Sequence, residues 1–126
     1  MADVREERVA AAKARMLELG TKFIERSRGE LATMRAGLAR LRAGDAAALS
    51  EIRHFAHKMA GTGATLGFDA FGQRAARLEA LIDAQPAGRV PDAEVQEKLA
   101  AHVAALESQL AADADARGAG PAPPAG

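Results

Sequence analysis

Between residues 23 and 41 a stripe recurs at alternating spacings of three and four, apolar but for one small Ser: Phe23 or Ile24, then Ser27, Leu31, Met34, Leu38 and Leu41. An α-helix gathers positions so spaced onto one face, and a strand scatters them over two. A face that continuous has to be buried against other helices. Little else in the chain favours a sheet. Trp and Tyr are absent, β-branched residues are sparse, and much of the 48% hydrophobic content is Ala, a helix former that buries little area.

The same periodicity predicts five helices. The first spans roughly 3–19, with Val9, Ala12, Met16 and Leu19 in line, and Gly20 interrupts it as a C′ residue or a kink. The second spans roughly 21–43. Gly44 then stops it and Asp45 caps the third, roughly 46–66, whose inward stripe is Leu49, Ile52, Ala56, Met59, Gly63 and Leu66. Gly67 ends that helix. The fourth, roughly 69–84 with Asp69 as a possible cap, carries Phe71, Ala75, Leu78 and Ile82. Pro91 suits the first position of the fifth, roughly 92–114, with Val95, Leu99, Val103, Leu106 and Leu110 inward. Long amphipathic helices on short turns imply an all-α fold: an antiparallel four-helix bundle with an additional N-terminal helix covering one end. The 126 residues suffice for one domain, 1–115, and the Gly, Pro and Ala run over 116–126 is expected to be a disordered tail.

Charge and composition remove several function classes. Seventeen basic residues balance seventeen acidic ones, so the basic excess of a nucleic-acid binder is missing, as are aromatics to stack on bases. With no Cys, disulfides, thiolate metal sites and a Cys nucleophile are out, which fits a reducing cytoplasm. The charged start of the chain holds no signal-peptide h-region, and no apolar run approaches membrane-spanning length.

The third helix carries the residues that invite chemistry. With about 100° per residue and the inward stripe centred near Ala56 and Met59, His57 sits roughly 130° away, facing outward or on the boundary. Arg53, Gly61 and Ala64 share its face, with Ala60 beside them, so the surface on its C-terminal side is bare. Gly61 costs the helix about 1 kcal/mol relative to Ala. Two gains offset such a cost: room for another protein to approach the imidazole, or tight helix packing through Gly61 and Gly63. Spacing does not separate them. A neutral imidazole is a nucleophile when one nitrogen holds the proton and the other is bare. Glu79, on the helix that folds back past the third, is a candidate acceptor for that proton. Lys58 and Arg53 are candidates to contact a dianionic phosphoryl group. A metal site from His54 and His57, with His102 as a distant third ligand, is weaker: no carboxylate stands three or four positions on from either. His102, beside Val103, reads as a boundary histidine. No acidic cluster is present to hold Mg²⁺, and no Gly-rich phosphate loop follows a strand.

The segment Ala56-His57-Lys58-Met59-Ala60-Gly61 through Leu66-Gly67-Phe68, followed by Leu78-Glu79, resembles the histidine-phosphotransfer domains of phosphorelays. That pattern has a His, a basic residue one or three positions on, Gly at four and ten, and Glu or Gln on a second helix about 22 positions on. Here these are His57, Lys58, Gly61, Gly67 and Glu79. The resemblance is close over roughly 45–83 and general elsewhere. Ala60 departs from it, standing where many members carry Lys or Arg. Glu at 79 resembles the phosphorylatable domain of chemotaxis-type kinases.

The resemblance implies a phosphoryl carrier without autonomous kinase activity. His57 accepts the group, Glu79 orients the ring, Lys58 contacts the phosphoryl group, and partners dock around Arg53, His54, Ala60, Gly61 and Ala64. The partners implied are response-regulator receiver domains and a hybrid or chemotaxis-type histidine kinase, with neither nucleic acid nor membrane involved. No cofactor is expected in this chain, because the receiver supplies Mg²⁺. The alternative is a helical adaptor or inhibitor that binds a receiver or kinase without being phosphorylated.

Overall fold

The computed structural model describes residues 3–118, and the expected tail lies outside the described residues from 119 on. Among the described residues four helices follow one another: α1 (Val4–Arg42), α2 (Ala47–Thr65), α3 (Asp69–Asp83) and α4 (Ala93–Ala116). Each packs against two neighbours, in ring order α1, α2, α3, α4. The connections between them are short. The core is the set of stripes read from the sequence: Phe23, Ile24, Leu31, Met34, Leu38 and Leu41 from α1, Ile52, Ala56 and Met59 from α2, Phe71, Ala75, Leu78 and Ile82 from α3, and Leu99, Val103, Leu106 and Leu110 from α4. Burying one Leu or Phe side chain contributes about 1.5–3 kcal/mol, so the stripes supply the main cohesive force.

The N-terminal helix differs from expectation. It is not separate, because α1 runs unbroken through Gly20. Gly44 and Gly67 do end helices, at φ 100° and 86°, a left-handed backbone that suits glycine. Gly20 stays helical, and its missing side chain serves a contact. A Cβ there would collide with the guanidinium of Arg117, whose Nη2 donates to the Leu17 carbonyl at 3.2 Å and whose cation lies 5.0 Å from the Phe68 ring centroid. One glycine costs a helix only about 1 kcal/mol, too little to break a helix of 39 residues. The first thirteen or so residues of α1, before the Leu17 contact, extend beyond it as about 20 Å of helix. Val9, Met16, Leu17 and Leu19 stay exposed, so this segment does not cap the bundle end as a packed helix would. It leaves an open apolar hollow, with Leu66 and Arg117 opposite Val9, Ala12 and Met16.

Helix starts differ in smaller ways. Ala46, not Asp45, is the N-cap of α2 and makes no side-chain cap; Asp45 stands one residue before it, accepting from the Ala47 amide at 3.1 Å while its other oxygen pairs with Arg40. Asp69 is not a cap but the first residue of α3, preceded by Phe68. Burial decides this. The tight turn at Gly67, closed by the Phe68 amide on the Gly63 carbonyl at 2.8 Å, drives the Phe68 ring into the core, stacked 5.2 Å from Phe23. Pro91 is buried just before α4, and Asp92 caps that helix through the Val95 amide at 2.9 Å.

Candidate functional site

The hairpin of α2 and α3 is drawn together by two facing glycines. A Cβ on Gly72 would stand 3.1 Å from the Ala60 carbonyl oxygen, and one on Gly63 would stand 3.3 Å from the Gly72 Cα. A methyl at either position would press on backbone that has to give by a few tenths of an ångström. Gly61, two residues away, faces open space, with no atom within 4 Å of the place a Cβ would occupy. The two readings of these glycines thus divide: Gly63 serves packing, and Gly61 keeps the outer surface bare.

This close approach sets the register that builds the site. His57 projects outward from α2, its side chain 68% exposed, and its Nδ1 lies 2.7 Å from Oε2 of Glu79 on α3. Glu79 is only 18% exposed, so its carboxylate is held by its surroundings. An ionised carboxylate only accepts hydrogen bonds. Against an ionised Glu79 the Nδ1 side of the ring is the donor, and in the neutral imidazole that arrangement leaves the Nε2 lone pair toward solvent.

Arg53 and Asp83 extend this pair. Arg53 lies four residues before His57, and Asp83 four after Glu79, so the antiparallel register that joins 57 to 79 also joins 53 to 83. Arg53 Nε donates to Asp83 Oδ1 at 2.5 Å, and its Nη2 lies 3.4 Å from Asp83 Oδ2 and 3.2 Å from Glu79 Oε2. The hydrogen bond from Arg53 holds the Asp83 carboxyl below the usual carboxylate range. Asp83, which sequence reasoning passed over, carries a signal only in retrospect: its four-residue offset from Glu79 mirrors that of Arg53 from His57.

On the other side of His57, Lys58 leans toward α1. Its Nζ is 3.7 Å from Oε1 of Glu30 and 5.8 Å from the Phe55 ring centroid. Glu30 is 13% exposed, and its second oxygen is buried with no hydrogen-bond partner among the described residues. A shallow hollow beside the imidazole is lined by Lys58, Gly61, Thr62, Thr65 and Leu66. Of the residues expected to form a docking face, Arg53, His54, Gly61 and Ala64 are exposed, and Ala60 is half-buried where its carbonyl meets Gly72. His54 rests against Phe55, ring centroids 5.7 Å apart. His102 lies half-buried on α4 in a hollow shared with Arg74, Arg77 and Lys98. Among the described residues, no three His, Cys, Asp or Glu side chains stand together as a metal-ligand group, and no helix is long and apolar enough to cross a membrane.

The chain matches the family model of the Hpt domain over residues 18–116. Searches of curated proteins and of solved structures gave no match. The matched span takes in His57, Glu79 and the whole bundle, and leaves out most of the α1 overhang. Domains of this kind are phosphocarriers of phosphorelays that work with receiver domains and kinases. On that match, together with the helical bundle that carries it, the chain belongs to the Hpt-domain family.

Proposed function

We propose that this chain carries a phosphoryl group on Nε2 of His57, exchanging it with the aspartate of a response-regulator receiver domain. The observation that supports this most directly is the 2.7 Å contact of His57 Nδ1 with Glu79 on an exposed ring, an arrangement that in the neutral imidazole turns the Nε2 lone pair outward. In the transfer, the Nε2 lone pair forms the N–P bond as the acyl-phosphate P–O bond of the receiver aspartate breaks, its electron pair leaving on the carboxylate. The ring then carries positive charge, and Glu79 offsets it through the retained Nδ1–H. Lys58 leaves Glu30 for the doubly charged phosphoryl group, its exposed four-carbon stem giving it the reach. Gly61 leaves room for the receiver, which docks on the face of Arg53, His54, Ala60, Gly61 and Ala64.

The receiver brings Mg²⁺, so this chain needs neither cofactor nor kinase activity of its own, and positioning is its contribution. A hybrid or chemotaxis-type histidine kinase stands upstream, and the cytoplasm is the compartment such partners share. The test is intact-protein mass after incubation with Mg²⁺ and phosphorylated receiver domains, for the wild type and for His57→Gln. One acid-labile phosphoryl adduct on the wild type, absent from the variant, is the expected result. An adduct on both would remove His57 as the acceptor. An adduct on neither would leave a module that binds its partner without being phosphorylated.

A further inference from the structure

Four ionisable side chains stand in series across the α2–α3 groove: His57, Glu79, Arg53 and Asp83. The same Glu79 oxygen, Oε2, meets His57 Nδ1 at 2.7 Å and Arg53 Nη2 at 3.2 Å. Arg53 and the imidazole therefore share one acceptor oxygen, the imidazole in the shorter contact. A guanidinium drawn fully onto Glu79 would neutralise it and weaken its hold on the Nδ1–H. The forked geometry of Arg suits such a bidentate grip on a carboxylate. Asp83 prevents it. It takes Arg53 Nε at 2.5 Å and approaches Nη2 at 3.4 Å, so only one edge of the guanidinium grazes Glu79.

We propose that Asp83 is a positioning residue for the phosphoryl-accepting histidine: by restraining Arg53 it leaves Glu79 free to fix the tautomer of His57. Arg53 on this account is a tether between α2 and α3 whose charge has to be kept off Glu79. The proposal rests on the carrier reading of His57 for its consequence in transfer, but its structural content concerns the free protein alone.

The charge that faces this series from the remaining neighbour is Lys58, which is turned toward Glu30 on α1 and not toward Glu79. Asp83 is exposed at the end of α3, away from the packed core, so Asp83→Asn does not threaten the fold.

The experiment measures the ring ¹⁵N shifts of His57 in the free protein, without any partner, for the wild type, D83N, R53M and the double variant R53M/D83N. Phosphoryl acceptance from a phosphorylated receiver is timed in parallel. In the wild type the shifts report the Nδ1–H tautomer. In D83N the Nε2–H tautomer gains population and acceptance slows about fivefold, the size expected from weakening one charge-assisted hydrogen bond. R53M and the double variant both keep the wild-type tautomer, because no cation is left to compete. That rescue is what a merely structural Arg53–Asp83 clamp would not give, since losing both partners would then be no better than losing one. Unchanged shifts in D83N, or a double variant as perturbed as D83N, overturns the proposal. If the wild type accepts no phosphoryl group at all, the carrier reading fails while the tautomer result still decides the role of Asp83.

Discussion

His57 and Glu79 are joined Nδ1 to Oε2 at 2.7 Å across two antiparallel helices, with the imidazole 68% exposed and the carboxylate 18% exposed. The asymmetry suits a phosphoryl carrier. On the proposed reading, His57 has to meet another protein, while Glu79, which would orient it, gains from shelter, where its hydrogen bond is less diluted by water.

Glu79 is the first place to weaken that pair. Glu79→Ala removes both acceptor and charge and slows phosphoryl acceptance about 10- to 100-fold, the range for a lost hydrogen bond to a charged group. Glu79→Gln keeps an acceptor and falls in between. Rapid-quench transfer from a phosphorylated receiver measures both, and equal rates for the two variants would show that charge rather than tautomer control matters.

The glycines of the hairpin respond in opposite directions. Gly61→Ala meets no neighbour and removes a helix penalty, so it stabilises by up to about 1 kcal/mol. Gly72→Ala drives a methyl toward the Ala60 carbonyl at 3.1 Å, a backbone atom that cannot turn away, and destabilises by about 1–3 kcal/mol. Urea unfolding of the two variants separates them. Gly61→Gln adds a bulkier test: stability near wild type, with transfer slowed because the side chain stands where the receiver docks.

His102 is expected to make stability pH-dependent. Burial, and then the charge of Arg77, pushes its imidazole down from the usual 6.5, with Arg74 and Lys98 lining the same hollow. The unfolded chain binds this proton more readily than the folded one, so stability rises with pH across the gap. The His102 contribution is whole above 6.5 and fades as pH falls from there through the lowered folded value. Denaturant midpoints at about pH 7.5 and about pH 5.5 should differ less in His102→Gln than in the wild type. An unchanged difference would place the dependence elsewhere.

The α1 overhang contributes little to the bundle. Val4, Val9, Met16 and Leu17 are between 46% and 60% exposed, so they bury little on folding. Deleting residues 1–15 shifts the melting temperature by no more than about 3 °C and leaves phosphoryl acceptance intact. A larger fall in calorimetry would mean that this segment packs in solution in a way its exposure does not suggest.

The stripes of α1 to α4 and the contact of His57 with Glu79 were legible in the sequence for different reasons. Phe71, Ala75, Leu78 and Ile82 announce a buried face because helix geometry alone fixes which positions coincide. His57 and Glu79 were legible through a motif, since neither periodicity nor composition pairs residues on separate helices. What the sequence determined by itself was therefore local: helical faces, the stops at Gly44 and Gly67, and an outward imidazole on α2. Tertiary structure decided everything that depends on a second element. Gly20 has the composition of a break, yet Arg117 from the far end of the chain fills the space above it and the helix runs on. Asp69 has the chemistry of a cap, yet the burial of Phe68 against Phe23 places it inside the helix. Asp83 was silent until the Gly63–Gly72 approach fixed the register of α2 on α3 and set it against Arg53. Local preferences amount to about 1 kcal/mol each, and packing an aromatic ring or closing a helix pair outweighs them.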